Sequence, residues 1–236
     1  MITYILGLIV SLLAGAMFIF NPPKNKSWIY LLLSAGGAYL IAIIFTHILP
    51  ELFEVLPQHA GYVLLIGFLL QVFLENYSKG IEHGHAHGTN SNRALLIAYA
   101  ALCMHALVEG MPLASVLQGS AIEFDQQLAI GIMLHKVPVA ITLATMLLKS
   151  GISKIKAFYF LIGFIACTLV GSGLQMLIGN QFADQAELNM FYSLGLTVGI
   201  LLHVSTTILF ESSDNHKLTP KRVAVITIGL TLALLS

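Results

Sequence analysis

Charge is what this chain has least of. Aspartate, glutamate, lysine and arginine make up only 9% of its 236 residues, while 57% are hydrophobic. A soluble domain carries about 25% charged residues. Apolar runs also recur along the whole length, so a water-soluble globule is excluded and no room is left for a separate soluble domain. Cysteine is scarce too, and both copies, Cys103 and Cys167, fall inside apolar runs. No disulfide framework is implied, and the redox compartment stays open. The opening stretch, MITYILGLIVSLLAGAMFIF, lacks a basic region before its apolar core, and the loop behind it lacks a clean cleavage site. It reads as a retained span rather than a signal peptide. The metal-hydrolase signature HExxH is also missing.

What is present is a succession of apolar segments. A membrane span needs about 20 apolar residues, and the segments run over residues 2–20, 28–49, 60–77, 94–118, 125–148, 155–179, 188–210 and 223–236. The last is short for a span. The chain therefore reads as an all-α integral membrane protein, residues 1–236 forming a single transmembrane domain of eight helices. Of its 11 lysines and arginines, only Lys136 lies deep within a segment, and the other ten fall in loops or at segment edges. Lys24 and Lys26 lie in loop one, Lys79 and Arg93 in loop three, Lys149, Lys154 and Lys156 in loop five, and Lys217, Lys221 and Arg222 in loop seven. Loops two, four and six contain no lysine or arginine and carry Glu51, Glu54, Glu123, Asp125, Asp184 and Glu187 instead. Under the positive-inside rule the odd loops are cytoplasmic and both termini lie outside. This alternation supports the count of eight, because a missed or false span would scramble it.

Within this apolar setting one stretch stands out, HALVEGMPLA from His105 to Ala114. On a helix His105 and Glu109 share a face, one turn apart. The next segment carries HKVPVAITLA, beginning with His135 and Lys136. Ionisable groups at membrane depth cost several kcal/mol each and mark functional sites by default. Zinc takes four N, O or S donors in a tetrahedron. His105 and Glu109 supply one nitrogen and one oxygen, His135 a second nitrogen, and water can fill a fourth position. Iron, cobalt, nickel or manganese would suit the same donors. Pro112 and Pro138 each free a backbone carbonyl one turn upstream, on Val108 and Leu134. Such carbonyls can help to hold an ion where a broken helix lines a cavity. Each of these features also has a structural alternative. A lone buried histidine is more often a core residue than a ligand, Lys136 would serve as Glu109's salt-bridge partner, and the prolines would be ordinary kinks.

Two internal echoes accompany the pair. THILPE (46–51) and TTILFE (206–211) share Thr, Ile, Leu and Glu in register, on segments that cross in opposite directions. HALVEGMPLA and HKVPVAITLA form a weaker pair, also antiparallel. Inverted repeats with ionisable groups near their interface point towards a secondary transporter.

At these residues the sequence resembles the ZIP family of divalent metal transporters. The resemblance spans essentially the whole chain. The fourth-span motif H-x-x-x-E-G stands as His105, Glu109 and Gly110, the fifth-span motif keeps His135 and Pro138, and the second-span ending HxLPE stands as His47, Leu49, Pro50 and Glu51. It implies eight spans in an inverted-repeat, 3+2+3 architecture, and movement of zinc or a related ion towards the cytoplasm. It further implies that spans four and five carry the site and move relative to the rest. Some members hold two metals, using an Asn after the fourth-span His and acidic residues in spans five and six. Here those positions are Ala106 and Lys136, the usual fifth-span Glu or His is replaced by Val139, and span six has no acid. A second cation beside Lys136 would be repelled, so one metal is expected, with the Lys136 ammonium standing where a second metal's charge would be.

Along the pathway the sequence suggests His47 and Glu51 near the outer mouth, and Glu211 with His203 towards the inner one; the alternative is that these are helix-end or core residues. The connection over residues 78–93 carries His83, His85 and His87, an H-x-H-x-H that would bind a metal weakly on the cytoplasmic side or simply be solvated. The expected cargo is Zn2+, with iron, manganese, cadmium or related divalent ions as alternatives. Expected partners are that ion and membrane lipid, with room for a homodimer and with no nucleic acid. Compact loops suggest a bacterial inner membrane. The rival readings are a multi-span membrane zinc hydrolase and a metal sensor without a path.

Overall fold

The computed structural model describes residues 2–22, 27–78, 80–83, 88, 91–118, 125–211 and 219–235, and among them every regular element is helical. The helices are α1 (Ile2–Phe20), α2 (Ser27–Ile43), α3 (Leu49–Val55), α4 (Ala60–Ser78), α5 (Asn92–Gly110), α6 (Ala114–Gln118), α7 (Asp125–Lys149), α8 (Lys154–Gln181), α9 (Ala186–Glu211) and α10 (Pro220–Leu235). Seven helical stretches among the described residues are long and apolar enough to cross a membrane. One of them runs unbroken from Trp28 to Val55 through a π-helical turn at Ile44–Ile48, so the second segment ends six residues beyond the 49 that hydropathy suggested. Of the two remaining helices, α6 has 5 residues and α10 has 16, the latter about 24 Å long at 1.5 Å per residue.

Polarity is turned inside out relative to a soluble protein. Leu6, Ile9 and Leu13 of α1, Leu65, Leu69 and Phe73 of α4, and Leu232 and Leu234 of α10 face outwards, while Gln71, His105, Glu109, His135, Lys136 and Arg222 are buried. Hydrocarbon outside accepts the first group at no cost, and the second group is kept away from it inside the bundle.

The closest helix pairings are α1 with α7, α5 with α8, α4 with α9, and α2 with α10. Small residues set two of these distances. A Cβ on Gly110 would run into the Thr168 backbone and one on Gly171 into the Leu107 carbonyl, so α5 and α8 meet backbone to backbone. Gly67 and Gly199 do the same for α4 and α9. In lipid, where apolar burial gives helices no preference for one another, such close approach supplies the packing that holds them together. At the turn from α7 to α8, Gly151 adopts φ 77°, while the amide of Ile152 donates back to the Leu147 carbonyl at 3.1 Å, a Schellman-type ending.

The fourth segment is broken where the prolines suggested. α5 stops at Gly110, and short i to i−3 bonds carry the chain past Pro112 into α6. The amide of Met111 donates to the Val108 carbonyl at 3.1 Å, and that of Leu113 to Gly110 at 3.2 Å. Pro138, by contrast, sits inside a continuous α7.

Candidate metal centre

α5 carries His105 and Glu109 on its buried face, and α7 brings His135 and Lys136 opposite them. Each of the four is 1% exposed. Donor atoms of His105, Glu109 and His135 all lie within 4.8 Å of one another, and the two imidazole rings meet edge to face with centroids 6.0 Å apart.

The polar atoms around this cluster are arranged in a definite sense. Gln71 of α4, fully buried, places its Oε1 2.9 Å from His105 Nδ1. A carbonyl oxygen accepts, so in the neutral tautomer that suits this contact Nδ1 donates and Nε2 presents its lone pair. That lone pair faces Glu109 Oε1 at 3.3 Å. Among the described residues neither of these buried atoms has a hydrogen-bond partner. Two electron-rich atoms held face to face away from water are unfavourable alone and well disposed towards a cation between them. The spacing suits one: donors at about 2.0–2.1 Å from a tetrahedral zinc stand about 3.3 Å apart.

Glu109's other oxygen is occupied. Lys136 Nζ donates to Oε2 at 2.7 Å and lies 4.9 Å above the Phe164 ring of α8. The salt bridge raised as a structural alternative thus forms, and it uses only one edge of the carboxylate, leaving Oε1 facing His105. Val139, where the family resemblance leads one to expect a Glu or His, is buried apolar core.

The carbonyls freed at the proline break have found other partners. Val108 O accepts from Thr197 Oγ1 of α9 at 2.9 Å, and Gly110 O accepts from Ser172 Oγ of α8 at 2.7 Å. Ser172 Oγ in turn lies 2.9 Å from the Tyr4 hydroxyl of α1. Here the break is stabilised by hydroxyls from three neighbouring helices, where the sequence had suggested an ion.

The pathway candidates lie outside the cluster. His47, exposed in the π-helical turn, has Nδ1 2.7 Å from the Thr46 hydroxyl, and Glu51 is half-buried in the first turn of α3. His203 meets Glu75 of α4, with Nδ1 and Oε2 3.3 Å apart, and the Phe68 ring stands edge-on to its imidazole at 5.0 Å. The side chains of Glu211 and His83, and all of His85 and His87, lie outside the described residues. Three polar residues had escaped the sequence reading. Gln71 and Glu75 sit four apart on α4, and Glu82 is fully buried, accepting from Ser78 Oγ at 2.7 Å. A hydropathy window averages such residues away; the signal that would have found the first two was their i, i+4 spacing within an otherwise apolar segment.

No curated protein matches the chain. Residues 82–236, well over half of it, match the family model described as "ZIP Zinc transporter".

Proposed function

Because the chain belongs to the ZIP zinc transporter family, we propose that it carries a divalent metal ion, zinc in the first place, across the membrane towards the cytoplasm through a single-metal site between the fourth and fifth spans. Transport of divalent metal is what the family does; the ion, the direction and the site are this proposal's own. In it, His105 Nε2, Glu109 Oε1 and His135 are the ligands, and water completes the shell. The observation that carries this reading is the fully buried pair of electron-rich atoms, His105 Nε2 and Glu109 Oε1, facing each other at 3.3 Å with a second imidazole beside them.

Lys136 then has a definite role. Its ammonium holds Glu109 Oε2 and occupies the side of the carboxylate where a second cation would bind, so one ion is carried at this centre. It also competes with that ion for the same carboxylate. Weaker binding is useful in a carrier, because the ion has to leave.

The helix pairings support eight spans arranged as an inverted repeat. Exchanging the first three spans with the last three, and α5 with α7, maps the α1–α7 contact onto α8–α5 and the α4–α9 contact onto α10–α2. α10 thereby has the same standing as α4, whose length and outward apolar face qualify it as a span. In such an architecture the site between the two halves opens to each side in turn.

The test is zinc uptake into metal-free proteoliposomes. Saturable uptake by the wild type, lost in both Glu109→Ala and His105→Ala, is the expected result. Uptake that survives both substitutions would remove the site assignment. Zinc binding without uptake, lost in the variants, would favour a sensor or a hydrolase.

A further inference from the structure

Gln71 is a fully buried amide on α4, a helix whose Leu65, Leu69 and Phe73 face outwards. Its Oε1 stands 2.9 Å from His105 Nδ1, while its amide nitrogen has no hydrogen-bond partner among the described residues. His105 Nε2 and Glu109 Oε1, 3.3 Å apart, are left in the same condition. Three polar atoms of one connected group are thus unpaired, and each is unfavourable away from water.

A carboxamide has two ways round. Half a turn about its last torsion exchanges oxygen for nitrogen in nearly the same volume. As it stands, the oxygen accepts from Nδ1, and His105 presents Nε2 as a lone pair, the form that holds a cation. With the amide turned over, its nitrogen donates to Nδ1, and the imidazole proton sits on Nε2 instead. That proton points at Glu109 Oε1, 3.3 Å away, a few tenths of an ångström beyond the usual N–H···O length of about 2.9–3.0 Å. Oε2 keeps its bond to Lys136 in either case. With an ion between Nε2 and Oε1, the first arrangement leaves only the Gln71 nitrogen unpaired. Without an ion, the second leaves only the Gln71 oxygen.

We propose that Gln71 is a positioning residue that switches His105 between an ion-holding and an ion-free tautomer. The switch rests on the reading above, in which His105 and Glu109 hold the transported ion. As the ion leaves, the N–H bond at Nδ1 breaks and one forms at Nε2, the proton passing through the water that replaces the ion. The charge of the imidazole is the same before and after. The ion-free site then satisfies itself, so release does not strand two bare acceptors inside the bundle.

The test is nitrogen-15 magnetic resonance of the full-length protein in liposomes, with labelled histidine rings and His105 assigned by its loss in His105→Ala. Protonated and bare ring nitrogens resonate far apart, so the tautomer is read directly. In chelator the wild type is expected to carry its proton on Nε2. In zinc the proton is expected on Nδ1, with the Nε2 signal moved by the metal. Gln71→Glu, whose carboxylate only accepts, should keep Nδ1 protonated under both conditions. Gln71→Met, of similar length but without the amide, should show both tautomers in chelator. A wild type with Nδ1 protonated in chelator as well as in zinc, or a tautomer indifferent to both substitutions, overturns the switch and leaves the ion site standing. If zinc moves none of the His105 signals, the ion site and the switch fall together.

Discussion

At the scale of single residues, Glu109 divides its two oxygens between two tasks. Oε2 is bound to the Lys136 ammonium at 2.7 Å, and Oε1 faces the His105 lone pair. Breaking a buried ion pair by removing one partner leaves a bare charge and is strongly destabilising, unless something else can neutralise it. Here zinc can. Lys136→Met should therefore unfold more readily than the wild type in the presence of chelator and recover on adding zinc. Its zinc affinity should rise about tenfold or more, because the competing cation is gone, and its turnover should fall as release becomes limiting. Titration calorimetry and proteoliposome uptake measure the two quantities. Unchanged affinity would show that Lys136 does not compete with the ion. The identity of His105, Glu109, His135 and Lys136 as a group was legible in the sequence, because ionisable side chains are conspicuous in an apolar segment. Gln71 was not: an uncharged amide barely moves a hydropathy average, and its importance comes from the 2.9 Å contact with His105, made across two helices.

At the scale of elements, the break at Pro112 separates what a proline dictates from what its surroundings decide. A missing amide donor frees the Val108 carbonyl wherever this sequence is folded. The Met111 amide takes one lone pair at 3.1 Å; which side chain takes the other depends on packing, and the answer is Thr197 of α9. Thr197→Val keeps the shape and removes the hydroxyl, leaving a buried carbonyl with one partner fewer. The expected loss is about 1–2 kcal/mol of stability, read as a lower Tm in detergent, with zinc affinity little altered because the ligands are untouched. A Tm equal to the wild type's would show that this bond does not support the break. The contrast with Pro138 is instructive: both prolines sit near ionisable residues in similar apolar runs, yet α7 runs straight through its proline. What differs is Gly110, two residues before Pro112, whose bare backbone meets α8 at Thr168 and Gly171; no glycine stands at that place before Pro138.

At the scale of the whole molecule, the loops alternate in charge as regularly as the helices alternate in direction. If odd loops are cytoplasmic, an impermeant thiol reagent applied to intact cells should label a cysteine placed at Gln58, in loop two, and spare one at Ser150, in loop five. The background would be a chain with Cys103 and Cys167 replaced by alanine. The opposite pattern would invert the orientation and with it the direction of transport. The same experiment with a cysteine at residue 236 tests the number of spans, since eight helices leave the C-terminus outside and seven leave it inside.

The sequence by itself determined that this is a helical membrane protein, roughly where its helices run, and which side chains are chemically out of place in lipid. These properties follow from transfer free energies and local helical geometry, which each segment carries without its neighbours. Tertiary structure alone decided that α4 delivers Gln71 to His105 and Glu75 to His203, that one oxygen of Glu109 goes to Lys136 while the other is left facing an imidazole, and that hydroxyls of α8 and α9 close the break at Pro112. Between helices in lipid, the choice of neighbour rests on small residues and close steric fit rather than on hydrophobicity. That fit joins residues from 27 to more than 100 positions apart, and no local pattern in the chain encodes it.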